Sequence, residues 1–192
     1  MDRQKMALGV RTFLEGLGQR FEGDDQERTP ERVSEAWVED LVSGFAVDPE
    51  AELSWTPAPE GCGPVLVRRI DFASICVHHL LPFFGMAYVA YQPDRRLAGL
   101  SKLGRVVDAY ARRLQTQERL TTQIVTTIDR VLQPRGVVAL LEAKHTCMTL
   151  RGVRKEQSGM TTVATAGCYD SDVSARSELL DLLIDRRNGA AG

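Results

Sequence analysis

The residues of this chain best suited to chemistry lie in two short segments that are far apart in the sequence. The first holds Cys76, His78 and His79, and the second holds His145 and Cys147. These segments contain all three histidines of the chain and two of its four cysteines. Thiolate and imidazole are ligands that zinc prefers. The clustering therefore predicts a zinc site at the centre of the protein.

The spacing indicates which of these residues bind the metal. Cys76 and His79 are separated by two residues, a common spacing for zinc ligands, and Cys147 is a candidate third ligand. Three protein ligands leave a fourth position for water, which is typical of catalytic zinc. His78 and His145 then lie close to ligands, where they can transfer protons. A buried thiol beside a surface ring would explain Cys76 and His79 alone, but the second segment favours the metal.

The remaining composition narrows the class of protein. Cys62 and Cys168 have no histidine nearby and are predicted to be ordinary thiols. The His-x-Glu and Pro-Cys-x-x-Cys motifs of nucleobase deaminases are absent. A content of 43% hydrophobic and 26% charged residues is typical of a soluble globular protein. The net charge of −2 gives no basic surplus for nucleic acid, and no apolar run would span a membrane. We expect a cytoplasmic protein, because the polar N-terminus resembles no signal peptide.

Basic residues form a second group of candidates. Ser101, Lys102 and Arg105 are predicted at the start of a helix, where free N–H groups favour anions. Arg151 and Arg154 follow the second metal segment and are expected to reach the same place. Together they would bind several phosphates. The alternative is a solvated basic surface, and only the neighbouring metal motif favours the binding site.

The dipeptide Gln117-Glu118 opens the next predicted helix. A carboxylate at this position offsets the helix dipole. It is also able to accept hydrogen bonds from N1–H and the 2-amino group of guanine. The residues alone leave both interpretations open.

Hydrophobic periodicity and turn residues predict the elements that position these groups. The predicted elements are helices at 4–21 and 29–44, strands at 64–76 and 84–91, helices at 101–114 and 117–132, strands at 137–150 and 159–168, and a helix from Ser171 or Asp172. Strands joined as hairpins predict an antiparallel sheet with a helix pair on one face, an α+β fold. We expect an N-terminal helical region with its connecting loop at 1–62 and a catalytic domain at 63–192. The open sheet edges predict an oligomer.

Several blocks of the sequence resemble GTP cyclohydrolase I, and the likeness extends over about 29–167. The blocks are Cys76–Phe83, Gly99–Leu103, Gln117–Thr121 and His145–Cys147, followed by Arg151-Gly152-Val153. The resemblance implies the tunnelling fold, with ββααββ order and assembly into a ring that is a homodecamer in this family. It also implies zinc-dependent conversion of GTP and water into formate and 7,8-dihydroneopterin triphosphate.

The same resemblance implies a role for each matching residue. Cys76, His79 and Cys147 are similar to the zinc ligands, and His78 and His145 are similar to the acid/base histidines.

The resemblance also implies the contacts with the substrate. Glu118, with Gln117 beside it, is similar to the guanine reader. The residues expected to contact the triphosphate are Ser101, Lys102, Arg105 and Arg151, with Arg32 added from a neighbouring subunit.

Three positions depart from the family pattern and motivate an alternative. Val77 stands where the family usually has Glu, Tyr88 where His is frequent, and Met160 where Thr is usual. These changes suggest a divergent relative that makes a 7-deazapurine or a modified pterin, or that stops at a ring-opened product.

A non-catalytic paralogue would be expected to have lost a ligand or a histidine, and none is lost. A nitrile reductase of the same fold would rely on a thiol nucleophile and lack the zinc set.

Overall fold

The computed structural model describes residues 1–18, 23 and 27–184, and it divides into the units Met1–Ser43 and Gly44–Gly192. The first unit contains α1 (Arg3–Gly16) and α2 (Thr29–Ala36), followed by a π-helical turn at Trp37–Leu41.

Both helices of the first unit begin with recognisable start signals. The side chain of Asp2 caps α1 by accepting a hydrogen bond from the Lys5 N–H at 2.9 Å. Helix α2 begins at Thr29, the first residue of the predicted helix, and Arg28 occupies the cap position. Pro30 lies in the first turn, where its missing N–H costs no hydrogen bond. The predicted end of the first helix, at Phe21, lies outside the described residues.

The second unit contains the sheet. Its strands are β1 (Trp55–Pro57), β2 (Val65–Cys76), β3 (Pro82–Gln92), β4 (Arg96–Ala98), β5 (Leu114–Gln115), β6 (Gly136–His145) and β7 (Met160–Gly167). Its helices are α3 (Leu100–Ala111), α4 (Gln117–Leu132), α5 (Thr146–Thr149), α6 (Cys168–Ser171) and α7 (Val173–Ile184). The main sheet has the order β5-β2-β3-β6-β7, and β1 pairs with β4 in a separate ribbon. Strands β2, β3, β6 and β7 are antiparallel neighbours, which confirms the predicted α+β fold with ββααββ order.

Side-chain alternation along the strands builds one core on each face of the sheet. The larger core lies under α3 and α4, where Leu120, Ile124 and Ile128 are fully buried at four-residue spacing. The smaller core lies under α7 and consists of Ala90, Val138, Tyr169, Leu179 and Leu183. The two faces of the sheet therefore have separate hydrophobic cores, and a side chain on one face belongs to only one of them.

The predicted strand 137–150 is too long. Strand β6 ends at His145, which pairs with Phe83 of β3. Because β3 begins at Pro82, only one further residue of β3 remains to pair, and the chain turns into α5. The Thr146 hydroxyl donates to the carbonyl of Pro82 at 2.6 Å, and the Leu150 N–H donates to the Thr146 carbonyl. This turn takes Cys147 out of the sheet.

Helix α3 also begins differently from the prediction. The helix was expected to begin at Ser101, but its first residue is Leu100. Gly99 is the cap residue, in an extended conformation, and no side chain caps this end. No helix within the described residues is both long and apolar enough to cross a membrane.

Candidate metal centre

The three predicted metal ligands lie together at one end of the sheet. The ligand atoms of Cys76, His79 and Cys147 are all within 4.8 Å of one another. The Cys76 Sγ lies 3.7 Å from the His79 Nδ1. Zn–S bonds of about 2.3 Å and Zn–N bonds of about 2.0–2.1 Å would separate tetrahedral ligand atoms by roughly 3.5–3.8 Å. Shortening the longest of these distances by about 1 Å would therefore give the separations expected between zinc ligands.

A tight turn between β2 and β3 returns His79 to Cys76. The Cys76 carbonyl accepts hydrogen bonds from the N–H groups of His79 at 3.4 Å and Leu80 at 2.9 Å. The Cys76 N–H donates to the carbonyl of Leu81 at 2.9 Å, which closes the turn. Leu80 has a φ of 53°, the left-handed region that a branched residue rarely adopts. Such strain is frequent where a loop holds functional groups.

The electrostatics of the two thiols match a site for a cation. Cys76 and Cys147 are free cysteines, one buried and one half-buried. Burial raises the pKa of the Cys147 thiol, and the neighbouring Cys76 raises this pKa further, while the charge of Arg151 lowers it. A bound dication would reverse this balance at Cys147 and favour the thiolate. Since His79 is exposed, the group remains accessible to solvent on one side, and its donors fit a metal ion with an open position.

His145 is held by contacts on its face and its edge. Its ring stacks on the fully buried Phe83, with ring centroids 4.5 Å apart and planes 4° from parallel. Its Nε2 lies 2.8 Å from Oε1 of Gln117. Desolvation by burial lowers the pKa of His145, and the nearby carboxylate of Glu118 partly opposes this. The neutral ring is therefore favoured at neutral pH.

Gln117 and Glu118 are adjacent in sequence but face different surroundings. Gln117 is 1% exposed, whereas Glu118 faces solvent. The Gln117 side-chain nitrogen Nε2 lies 3.0 Å from the carbonyl of Leu141, 3.0 Å from that of Met160 and 3.1 Å from the Thr162 hydroxyl, and these three acceptors share its two protons. Of the pair, only Glu118 has a side chain exposed to solvent.

His78 lies on the exposed side of the metal group. Its ring centroid is 6.2 Å from that of His79, with the planes at 79°. The two predicted acid/base histidines therefore differ in their environment, because His145 is packed and hydrogen-bonded while His78 is exposed.

The predicted phosphate residues occupy the start of α3 and the segment after α5. Ser101, Lys102 and Arg105 lie in the first turns of α3, and the Arg105 guanidinium is 3.4 Å from a carboxylate oxygen of Glu52. Arg151 is exposed and close enough to Cys147 to influence its pKa.

The structure thus brings Arg151 to the metal group and Glu118 to His145. Among the described residues, no contact joins Ser101, Lys102 or Arg105 to the metal ligands. Arg32 is exposed on α2, in the first unit.

Reasoning from the sequence missed the residues that support His145. Phe83 belongs to a motif block, but nothing in its type indicates stacking on a histidine. Two of the partners of Gln117 are main-chain oxygens, which leave no trace in a sequence pattern. Nothing in the sequence indicated that Thr162 would contact Gln117.

None of the three departures from the family pattern belongs to the group of metal ligands. Val77 contributes its main-chain N–H to the carbonyl of Gln115, and its side chain is 37% exposed. Tyr88 packs against the smaller core, on the face opposite α3 and α4. Met160 contributes its main-chain carbonyl to Gln117, a contact that any residue there would provide.

Comparison with known proteins finds one family repeatedly. A family model described as GTP cyclohydrolase I matches residues 6–184. A protein of Gloeobacter violaceus named GTP cyclohydrolase 1 is 48% identical over 179 residues, covering 93% of this chain and 83% of the relative. Proteins of the same name from Chlorobium phaeovibrioides and Chlorobaculum tepidum are 48% and 46% identical, over 94% and 95% of this chain and 81% and 84% of their own length. The solved archaeosine synthase QueF-Like in the apo form aligns with a TM-score of 0.46 and 16% identity, over 56% of this chain and 97% of its own.

Proposed function

Because the chain belongs to the GTP cyclohydrolase I family, we propose that it hydrolyses GTP at C8 of the purine and releases formate. The ribose then opens and rearranges, and the ring closes to 7,8-dihydroneopterin triphosphate. The observation that supports this most strongly is the convergence of Cys76, His79 and Cys147 within 4.8 Å, since residues about seventy positions apart meet there. Membership of the family and this donor set point to the same chemistry.

We propose zinc as the metal held by Cys76, His79 and Cys147. Two thiolates and one imidazole are typical zinc donors, and a three-ligand site leaves one position open. When bound there, zinc would supply a Lewis acid that activates water at neutral pH. The chain itself supplies the rigid turn that holds Cys76 beside His79, and the α5 turn that presents Cys147.

We assign the proton transfers to His78 and His145. His145 is fixed against Phe83 and is neutral at neutral pH, so it is able to accept or donate a proton without moving. His78 is exposed, which suits exchange of protons with solvent or substrate. Imidazole is the side chain best matched to proton transfer at this pH.

We assign recognition of the guanine to Glu118. Its carboxylate faces solvent at the first turn of α4 and lies near His145. A carboxylate accepts hydrogen bonds from both N1–H and the 2-amino group, which distinguishes guanine from adenine. Gln117 beside it contributes by its position in the same turn, while its side chain is used inside the protein.

We assign the triphosphate to the basic residues. The residues proposed to contact it are Ser101, Lys102, Arg105 and Arg151, with Arg32 from a neighbouring copy. The uncapped start of α3 adds free N–H groups and a partial positive charge. Guanidinium groups bind phosphate oxygens through paired hydrogen bonds.

We also propose a ring-shaped homo-oligomer, with the homodecamer as its expected size. Among the described residues, the outer edge of β7 has no partner strand, and β2 pairs outwards only at Ile75 and Cys76. Unpaired edges of this length favour pairing with another copy. Native mass spectrometry tests this, since a monomer would contradict it.

We place the catalytic domain at 63–192, because every proposed ligand and histidine lies there.

The experiment that tests the activity uses the purified protein with GTP. We expect formate and a pterin that becomes fluorescent after oxidation. Mass spectrometry distinguishes the complete reaction from one that stops after ring opening, since a ring-opened formamide keeps the mass of the formyl group. If neither formate nor pterin forms in the zinc-loaded protein, the proposed activity is wrong.

A further inference from the structure

Gln117 makes contacts that neither metal binding nor guanine recognition requires. We propose that Gln117 is a positioning residue that holds His145 as the tautomer protonated at Nε2, leaving Nδ1 as the nitrogen with a free lone pair. The catalytic meaning of this assignment rests on the proposed function, but the protonation state of the ring does not.

The surroundings of the Gln117 amide determine which way it points. Its nitrogen lies 3.0 Å from the carbonyl oxygens of Leu141 and Met160, and both of these groups are acceptors only. The reversed amide would place its oxygen against two carbonyl oxygens in a buried site, at a high electrostatic cost. The nitrogen therefore faces β6 and β7, and Oε1 faces His145.

Two threonines support the same orientation. The Thr121 hydroxyl donates to the main-chain carbonyl of Gln117 at 2.7 Å, so its single proton is used there. The Thr162 hydroxyl lies 2.6 Å from the Thr121 hydroxyl and must donate to it. The oxygen of Thr162 is then left as an acceptor for Gln117, at 3.1 Å.

This orientation fixes the proton on His145. Oε1 of Gln117 is only an acceptor, and it lies 2.8 Å from Nε2 of the ring, so Nε2 must carry the proton. A ring rotated by half a turn would present a carbon to Oε1 and lose the bond. The stacked ring of Phe83, 4° from parallel, keeps the imidazole in the plane that this bond needs. No hydrogen bond to Nδ1 is found among the described residues.

The direct test is solid-state NMR of the sedimented, zinc-loaded protein labelled with ¹⁵N-histidine. The chain has only three histidines, and His145→Asn identifies the signals of the third. At mildly alkaline pH we expect a protonated Nε2 and an unprotonated Nδ1 for His145. A bare Nε2, or protons on both nitrogens, would overturn the proposal, and this result holds whether or not the protein turns over GTP.

A variant separates positioning from a direct contact with substrate. Gln117→Met keeps the size of the side chain but removes its hydrogen bonds. We expect kcat to fall by about 10–100-fold, the usual effect of replacing a group that orients a site histidine. KM for GTP and zinc content should stay within about twofold, and the His145 signals should show both tautomers.

The matched control is Tyr110→Phe. It removes a buried hydrogen bond of 2.7 Å to Thr127, and neither residue contacts His145. We expect a similar loss of thermal stability with an unchanged tautomer and kcat. A rise in KM for Gln117→Met with kcat unchanged would contradict positioning and indicate a direct contact with the substrate. If Gln117→Met does not fold, the solid-state NMR spectrum of the wild-type protein still shows which nitrogen of His145 carries the proton.

Discussion

The proposed site has two parts that differ in how their side chains are held. In the metal part, Cys76 and His79 lie in a turn closed by main-chain hydrogen bonds, and His145 is packed against Phe83 and bonded to Gln117. In the phosphate part, the basic side chains lie on the first turns of α3 and after α5, where most are exposed. Main-chain hydrogen bonds and packing hold the first part, whereas in the second part the exposed Arg105 forms an ion pair with Glu52 at 3.4 Å.

This difference suggests a division of labour. Groups that make and break bonds gain most from being fixed in advance, because misplacement costs rate directly. Charged groups that capture a flexible triphosphate tolerate mobility, since their attraction acts over several ångströms, and they become ordered only when the ligand binds. Changes in the metal part should therefore alter metal content or kcat, and changes in the phosphate part should alter KM.

The largest effect is expected when a metal ligand is removed. Cys147→Ala takes one of three donors from an open site, so we expect zinc affinity to fall by more than the roughly 10–100-fold lost when a supporting residue is replaced. Activity should be lost with the metal. Elemental analysis of the purified variant measures this. Cys168→Ala, which removes an exposed thiol, is the control and should retain its zinc. Full zinc content in Cys147→Ala would show that Cys147 is not a ligand.

The next largest effect is expected at His145. His145→Ala should lower kcat by about 10²–10⁴-fold, the usual contribution of a general acid or base. Zinc content should stay unchanged, because the residue is not one of the three ligands. Elemental analysis and single-turnover kinetics with GTP measure both quantities. Loss of zinc in this variant would mean that His145 contributes to the metal site, and an unchanged kcat would exclude it from the chemistry.

The metal part was also the easier part to predict from the sequence. Cysteine and histidine are rare in this chain, and their chemistry limits what a cluster of them can do. Helix α4 was predicted with its observed bounds, because a long four-residue apolar repeat follows Thr116, whose hydroxyl accepts from the Arg119 N–H. The end of β6 was not predicted correctly, because it depends on where the neighbouring strand β3 begins. The apolar residues of β6 do not indicate that position. The role of Gln117 could not be predicted for a similar reason, because its partners are brought to it only by the folded sheet.

In the phosphate part, we expect Arg151→Met to act mainly on binding. Loss of one charge-assisted hydrogen bond, worth roughly 1.5–3 kcal/mol, should raise KM for GTP by about 10–100-fold. The kcat should change much less. Steady-state kinetics at constant ionic strength measures this, with Arg95→Met as the control, since Arg95 is exposed on the turn before β4. A large fall in kcat without a rise in KM would place Arg151 in the metal part.

A smaller effect, this time on stability, tests the rigidity of the strands that carry His145. A Cβ at Gly85 would collide with the carbonyl oxygen of Glu142 and the Cα of Ala143 on the neighbouring strand β6. Gly85→Ala should therefore lower the free energy of unfolding by about 1–3 kcal/mol, as overpacking does. Gly104→Ala in α3 meets no atom closer than 4.0 Å and should instead stabilise the helix by about 0.5–1 kcal/mol. Chemical denaturation of both variants measures the difference, and equal effects would contradict the close approach of β3 and β6.

The smallest effect is expected at Val77, although it lies between two residues of the metal part. Its side chain is exposed, and its contribution to the turn is a main-chain N–H that any residue except proline provides. Val77→Glu, which introduces the residue usual in the family, should therefore change kcat and KM by no more than about twofold, in line with the ±0.5 kcal/mol of typical surface changes. Kinetics and product mass spectra of the two proteins measure this. A larger change, or a different product, would mean that a charge at this position acts on the metal through space, and that rigidity alone does not define the metal part.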